Sequence, residues 1–187
     1  MEAKGFSVQA LMSMAHSPVR NYAIPGLTSF LIGAPSQEGT VRLFACDREH
    51  QEPITPHSHR FDFQCWVLRG CVRNRIWKAT HHHDTEGDRF HMTKLIYGGD
   101  MGVYTKEPQG VNTYKYVDNV FEAGECYSMK SHEVHSIYFS RGTLVLFFEG
   151  PAKANSSVIL EPYVDGEVVP TFKVEPWMFK KQAKEAA

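Results

Sequence analysis

The stretch PHSHRFDFQCWVLRG, residues 56–70, decides how this chain is read. His57 and His59 stand at i and i+2, so on an extended segment both imidazoles project from the same side. Far downstream, GECYSMKSHEVHSIYFS (124–140) supplies His135 on a run that also reads as a strand. A third histidine on a partner strand completes one face of a metal's coordination sphere. Three ligands on one face leave positions open for substrate or dioxygen, which a catalytic centre needs and a structural one lacks.

Around these two stretches the chain turns into short β-rich runs punctuated by Gly, Pro, Asp and Asn. They cover 27–33, 41–47, 63–70, 71–79, 89–97, 102–107, 111–117, 126–130, 135–140, 143–150 and 157–164. Short strands joined by turn signals at this spacing predict an antiparallel sandwich or barrel. A short helix is predicted from Ser7 to Ala15, with Val8, Leu11, Met12 and Ala15 on one face, closed off by Pro18 and Pro25. A second is predicted over EPWMFKKQAKEA (175–186) at the other end. The polar, histidine-rich segment 81–87 reads as an exposed loop.

Composition bounds the function. The chain has 187 residues, 42% of them hydrophobic, with 12 Phe, 8 Tyr and 3 Trp, which suits one well-packed domain spanning 1–187. A net charge of −1 with no block of like charges argues against nucleic acid or an anionic membrane as partner. The N-terminus lacks the sustained apolar core of a signal peptide, and no apolar run is long enough to span a bilayer. Cys46, Cys65, Cys71 and Cys126 show no CxxC spacing or disulfide framework, so free thiols in a reducing cytoplasm are expected.

The two histidine stretches resemble the paired motifs of the cupin superfamily, small jelly-roll barrels that usually hold one metal. In the first motif, HxH is followed after three or four residues by a Glu and then by a strand ending in Gly; His57, His59 and Gly70 match. In the second, a His follows a Gly at a fixed interval, kept here by Gly124 and His135. Lys130, His132 and Phe139 replace the Pro, Gly and Asn usual in that motif. The resemblance implies an all-β, cupin-type antiparallel jelly-roll barrel over about 27–164, flanked by the short N- and C-terminal helices. It also implies a plausible homodimer through barrel edges.

The Glu position departs from the pattern. An unbroken strand turns Phe63 inward with Cys65 and Val67, whereas a one-residue bulge turns Gln64 inward with Trp66 and Leu68. Neither register offers a carboxylate, because Asp62 alternates away from His59. Three neutral histidines result, with Gln64 as the candidate fourth ligand. Within the superfamily this resembles the three-histidine, non-haem iron group that includes cysteine dioxygenase and other thiol dioxygenases. That resemblance implies Fe(II), with Zn, Mn or Ni as alternatives, and an oxygenase joining dioxygen to a small molecule such as a thiol. Phe63, Cys65, Arg42 and Tyr138 are the candidates for the substrate pocket. Arg42 is only a positional counterpart of the group's carboxylate anchor, and the Cys–Tyr crosslink of some members has no match.

His132 and Glu133, on the turn before His135, are the candidates for acid–base work beside the metal, against the alternative of a solvated turn. Asn74, Tyr104, Tyr114 and Tyr116 are further pocket candidates whose facing is open. The run His81–His83 lacks the alternate spacing that converges on one ion, and His16, His50 and His91 show no partner. Two rival functions stay in view. One is a metal-dependent cupin isomerase, lyase or hydrolase; the other is a non-catalytic small-molecule-binding cupin.

Overall fold

A computed structural model describes residues 7–50, 54–80, 86–98 and 104–164. The 81–83 histidine run, the first residues of the run expected at 102 and the expected C-terminal helix lie outside them. Among the described residues no helix is long and apolar enough to cross a membrane.

The described residues form one helix and eleven strands in order: α1 (Val8–Met14), β1 (Ala15–Val19), β2 (Leu27–Ile32), β3 (Thr40–Cys46), β4 (Phe61–Arg69), β5 (Cys71–Ala79) and β6 (Asp88–Tyr97), then β7 (Tyr104–Glu122), β8 (Cys126–Met129), β9 (Val134–Phe139), β10 (Leu144–Ala152) and β11 (Ser156–Pro162). They form two antiparallel sheets, ordered β1-β2-β3-β10-β4-β8 and β11-β6-β7-β5-β9. Strands β1–β4 lie in the first sheet and β5–β7 in the second, and from β7 to β11 successive strands alternate between the two, which is jelly-roll topology.

The segment 54–59 joins the two ends of the second sheet. On the β9 side Ile54 N donates to Ile137 O at 3.1 Å, His57 N to His135 O at 2.8 Å and His135 N to His57 O at 2.9 Å. On the β11 side Ser58 N donates to Val158 O at 2.8 Å, and Leu160 N to Pro56 O at 2.9 Å. The HxH segment is therefore held on both edges by backbone hydrogen bonds, although it is too irregular to count as a strand. Its partner on one edge is the strand that carries His135.

Alternation sorts the side chains. On β4, Phe63, Cys65 and Val67 are buried while Gln64 and Arg69 are exposed. The buried set faces Leu27, Phe44, Val72, Ile137, Phe139 and Val145 across the barrel interior. Each such side chain, once buried, contributes about 1.5–3 kcal/mol by removal from water, an upper figure against a compact unfolded chain. On the outer face of the first sheet, Leu43, Leu144 and Leu146 are covered by Leu11 of α1. Ser7 caps this helix, its Oγ accepting from Ala10 N at 3.3 Å. Of the expected apolar face only Leu11 is buried, while Val8 and Met12 are exposed. Gly70 makes the tight β4–β5 turn at φ 78°, where a Cβ would meet Thr143 Oγ1 at 2.5 Å, so both backbone sign and space require glycine.

Two elements differ from expectation. Residues 104–107 and 111–117 of the two expected runs belong to one strand, β7, of 19 residues. Pro108 and Gly110 read as a break, but β7 continues through them. Its first half pairs with β6, where a register shift between His91 and Thr93 absorbs the irregularity, and its second half pairs with β5. Strand β1 was not expected, since AHSPV shows no alternation and contains Pro18. It is an edge strand, where a missing N–H is tolerated.

Candidate metal centre

His57 and His59 reach the interior from the stitched segment, and His135 from β9 directly opposite His57. One nitrogen from each imidazole lies within 4.8 Å of the others. The ring centroids are 4.8 Å apart for His57–His59, 4.9 Å for His57–His135 and 5.2 Å for His59–His135. His135 is buried, and the other two are half-buried.

The far nitrogens fix which atoms point to the centre. His57 Nδ1 donates to the Thr55 carbonyl at 2.7 Å, since a carbonyl only accepts, leaving the Nε2 lone pair free. His135 Nδ1 donates to Asn74 Oδ1 at 2.7 Å, and Asn74 Nδ2 in turn points at Met129 Sδ at 3.4 Å. His135 also presents Nε2. That atom lies 3.0 Å from His59 Nε2, the separation of two nitrogens about 2.1 Å from one ion at roughly a right angle. The donor set therefore fits a divalent ion.

Burial keeps all three rings neutral and ready to ligate. It lowers the His57 pKa, against the opposing pull of the Thr55 carbonyl. Burial, with repulsion from His57, takes His59 down to about 3. His135 is held well below the usual imidazole range by burial and by its two neighbours. No carboxylate joins the described cluster. The Glu position is taken by Phe63, whose ring centroid is 4.8 Å from that of His59 and 5.6 Å from that of His135.

The remaining candidates divide. Gln64, weighed as a fourth ligand, is exposed on the outer face of β4, because the strand runs without the bulge that would turn it inward. Cys65 is 1% exposed and faces its cross-strand partner Tyr127, and burial pushes its thiol up to about 12. It is a small buried side chain rather than a nucleophile. Tyr138 alternates away from His135 and Ile137 and lies under the guanidinium of Arg73 on the other side of β9. His132 is exposed on its turn, and Glu133 Oε2 accepts from Lys130 N at 2.7 Å, closing that turn from within. Neither is brought to the triad, so their acid–base assignment has no geometric support. Arg42 does face the interior, sharing the parity of Phe44 and Cys46.

Two supports were weakly marked or invisible in the sequence. Asn74 is buried behind His135, on the inward register of β5 with Val72 and Ile76, and only its place on a strand hinted at it. The Thr55 carbonyl has no side-chain signal at all. Asp62, which alternates outward, ties the site together from behind. Its Oδ1 accepts from Ser131 N at 2.9 Å, and Ser131 O accepts from His59 N at 3.1 Å. The other three described histidines have partners after all: His50 Nε2 lies 3.3 Å from Cys46 Sγ, His16 Nε2 3.1 Å from the Gly33 carbonyl oxygen, and the His91 ring centroid 4.9 Å from that of Tyr163. The described cysteines are all free.

No protein-family model matches the sequence, and no curated protein matches it. Several solved structures are similar. A hydroquinone 1,2-dioxygenase, PnpCD, is 14% identical with a TM-score of 0.37, over 65% of this chain and 63% of that one. KdgF from Halomonas sp. is 14% identical with a TM-score of 0.38, over 80% and 89%. An RmlC-like cupin from Shewanella frigidimarina is 17% identical with a TM-score of 0.35, over 67% and 77%. The chain thus spans less than two thirds of the dioxygenase. The strand order makes the architecture an antiparallel jelly roll, with the HxH segment set against the strand of His135.

Proposed function

We propose that this jelly roll is a metal-dependent oxygenase, with Fe(II) held by His57, His59 and His135, acting on a small molecule. The carrying observation is a set of three neutral imidazoles with Phe63 where a carboxylate would complete the shell. A redox-active divalent ion so held would supply electrons for dioxygen activation, and would keep open positions beside it. The chain's own part is to hold and shield. Asn74 and Thr55 fix two of the imidazoles, and Phe63 and Phe147, with centroids 4.6 Å apart, form a wall that excludes water. Neutral ligands leave the ion's charge uncompensated, which favours an electron-rich substrate group such as a thiolate or enolate.

The test is oxygen consumption by anaerobically purified, Fe(II)-loaded protein offered thiols and enolisable small molecules. Uptake that requires iron and disappears in His135→Ala supports the proposal. Uptake with none of them, together with no iron in the protein as purified, contradicts it. A second reading uses the same donors, since three histidines also hold zinc in catalytic centres. Turnover with Zn(II), Mn(II) or Ni(II) and indifference to oxygen would favour an isomerase, lyase or hydrolase. Ligand binding untouched by loss of the histidines would favour a non-catalytic cupin. A cytoplasmic homodimer completes the proposal, and light scattering tests the pairing.

A further inference from the structure

Six inward-facing residues keep some exposure: His57, His59, Phe61, Phe147, Arg42 and Glu149. At one end stand the imidazoles. The rings then continue as His59–Phe147 (6.4 Å between centroids), Phe147–Phe44 (5.6 Å) and Phe44–Tyr22 (5.4 Å). At the far end Arg42, the cross-strand neighbour of Phe147, lies 5.9 Å over the Tyr22 ring. Its Nε donates to Glu149 Oε1 at 2.8 Å and its Nη1 to Ser29 Oγ at 3.4 Å. The two charged side chains are only 18% and 15% exposed.

An ion pair this far out of water is costly to keep for stability alone, and apolar replacements usually serve as well. The pair also cancels its own charge. A carboxylate arriving at Arg42 would meet Glu149 at once, so the anion would be desolvated without a free cation to receive it. The polar atoms at this end suit a neutral ligand: Glu149 Oε2 as acceptor, Arg42 Nη2 as donor, and the Tyr22 hydroxyl. Burial raises the Tyr22 pKa, so that hydroxyl stays a neutral donor.

We propose that Arg42, Glu149 and Tyr22 form the subsite for the distal end of the substrate, and that they select an uncharged, amide- or hydroxyl-bearing aromatic molecule over a carboxylate. This rests on the reading of the triad as the reaction centre only for which end of the ligand is distal. An aromatic ligand suits the rings between the two poles, which offer faces and edges for stacking.

The experiment uses benzamide and benzoate, equal in shape and different in charge, followed by saturation-transfer NMR on the full chain. It is run after chelator treatment and again with Zn(II). Wild type should bind benzamide about tenfold more tightly than benzoate. Glu149→Gln leaves Arg42 unpaired, and should raise benzoate affinity about tenfold and remove the preference. The double variant Arg42→Gln with Glu149→Gln is again neutral, and should restore preference for benzamide even if the single variant folds poorly. Tighter benzoate binding by wild type, a ratio that Glu149→Gln does not change, or no binding of either probe overturns the proposal. Failure to bind metal would overturn the oxygenase reading while leaving the metal-free ratio standing.

Discussion

Asn74 Oδ1 accepts the hydrogen bond from His135 Nδ1 at 2.7 Å, and the two side chains are 2% and 3% exposed. An amide in this position orients the imidazole without lending it negative charge. Every other contact in the centre is likewise neutral, from the Thr55 carbonyl to the Phe63 ring. The consequence is a site that adds no anion to whatever ion it holds.

Removing that orientation should weaken the metal. Asn74→Leu leaves His135 free to rotate in a dry site, and metal affinity should fall by about 10–100-fold while the fold is kept. Competition with a chromogenic chelator reads the affinity, and circular dichroism reads the fold. Asn74→Asp should move affinity the other way, because a buried carboxylate makes the imidazole a stronger donor. Unchanged affinity in both variants would remove Asn74 from the account.

The vacant carboxylate position is testable by filling it. Phe63→Glu places an anionic oxygen beside His59 and His135, and should tighten divalent metal binding. Without metal the same variant should lose on the order of 3 kcal/mol, from a cavity and an unpaired buried charge. Gln64→Ala, one residue away on the exposed face, should change stability by less than about 0.5 kcal/mol and leave metal affinity alone. Thermal melts with and without Zn(II) separate these outcomes. A loss of affinity in Gln64→Ala would mean that the bulged register is the true one.

These two residues also show what the sequence could and could not disclose. The HxH pair, the distant His135 and the strand-rich run between them are periodic signals, so the barrel and triad were legible. The choice between Phe63 and Gln64 was not, because a single bulge inverts every side chain after it. Asn74 carries no motif, since its role depends on which strand lies beside β9. His132 and Glu133 looked functional by proximity to His135, yet turn closure and solvent claim them. Strand β7 runs through Pro108 and Gly110 because pairing with β6, with a register shift between His91 and Thr93, outweighs local turn propensity.

Acid should loosen the histidine segment through Asp62. Hydrogen bonds from Lys153 and from Ser131 N, with a lesser one from Lys130, hold its carboxyl down to about 2. The folded value lies below the unfolded one, so the stabilisation is fully present above about pH 4. It is lost as the pH falls toward 2, where the folded state must also take up the proton. Wild type should therefore melt above Asp62→Asn at pH 6, and the two should converge near pH 2. A difference that persists unchanged at low pH would show that Asp62 acts by packing rather than charge.

The central claim is that His57, His59 and His135 hold one divalent ion. Elemental analysis of untagged protein, purified anaerobically with His81–His83 replaced by serine so that this run cannot contribute, tests it most directly. The account predicts close to one transition-metal ion per chain, falling to background in His57→Ala and in His135→Ala while both variants stay folded. Metal absent from the parent chain even after loading, or retained undiminished in both variants, would contradict it.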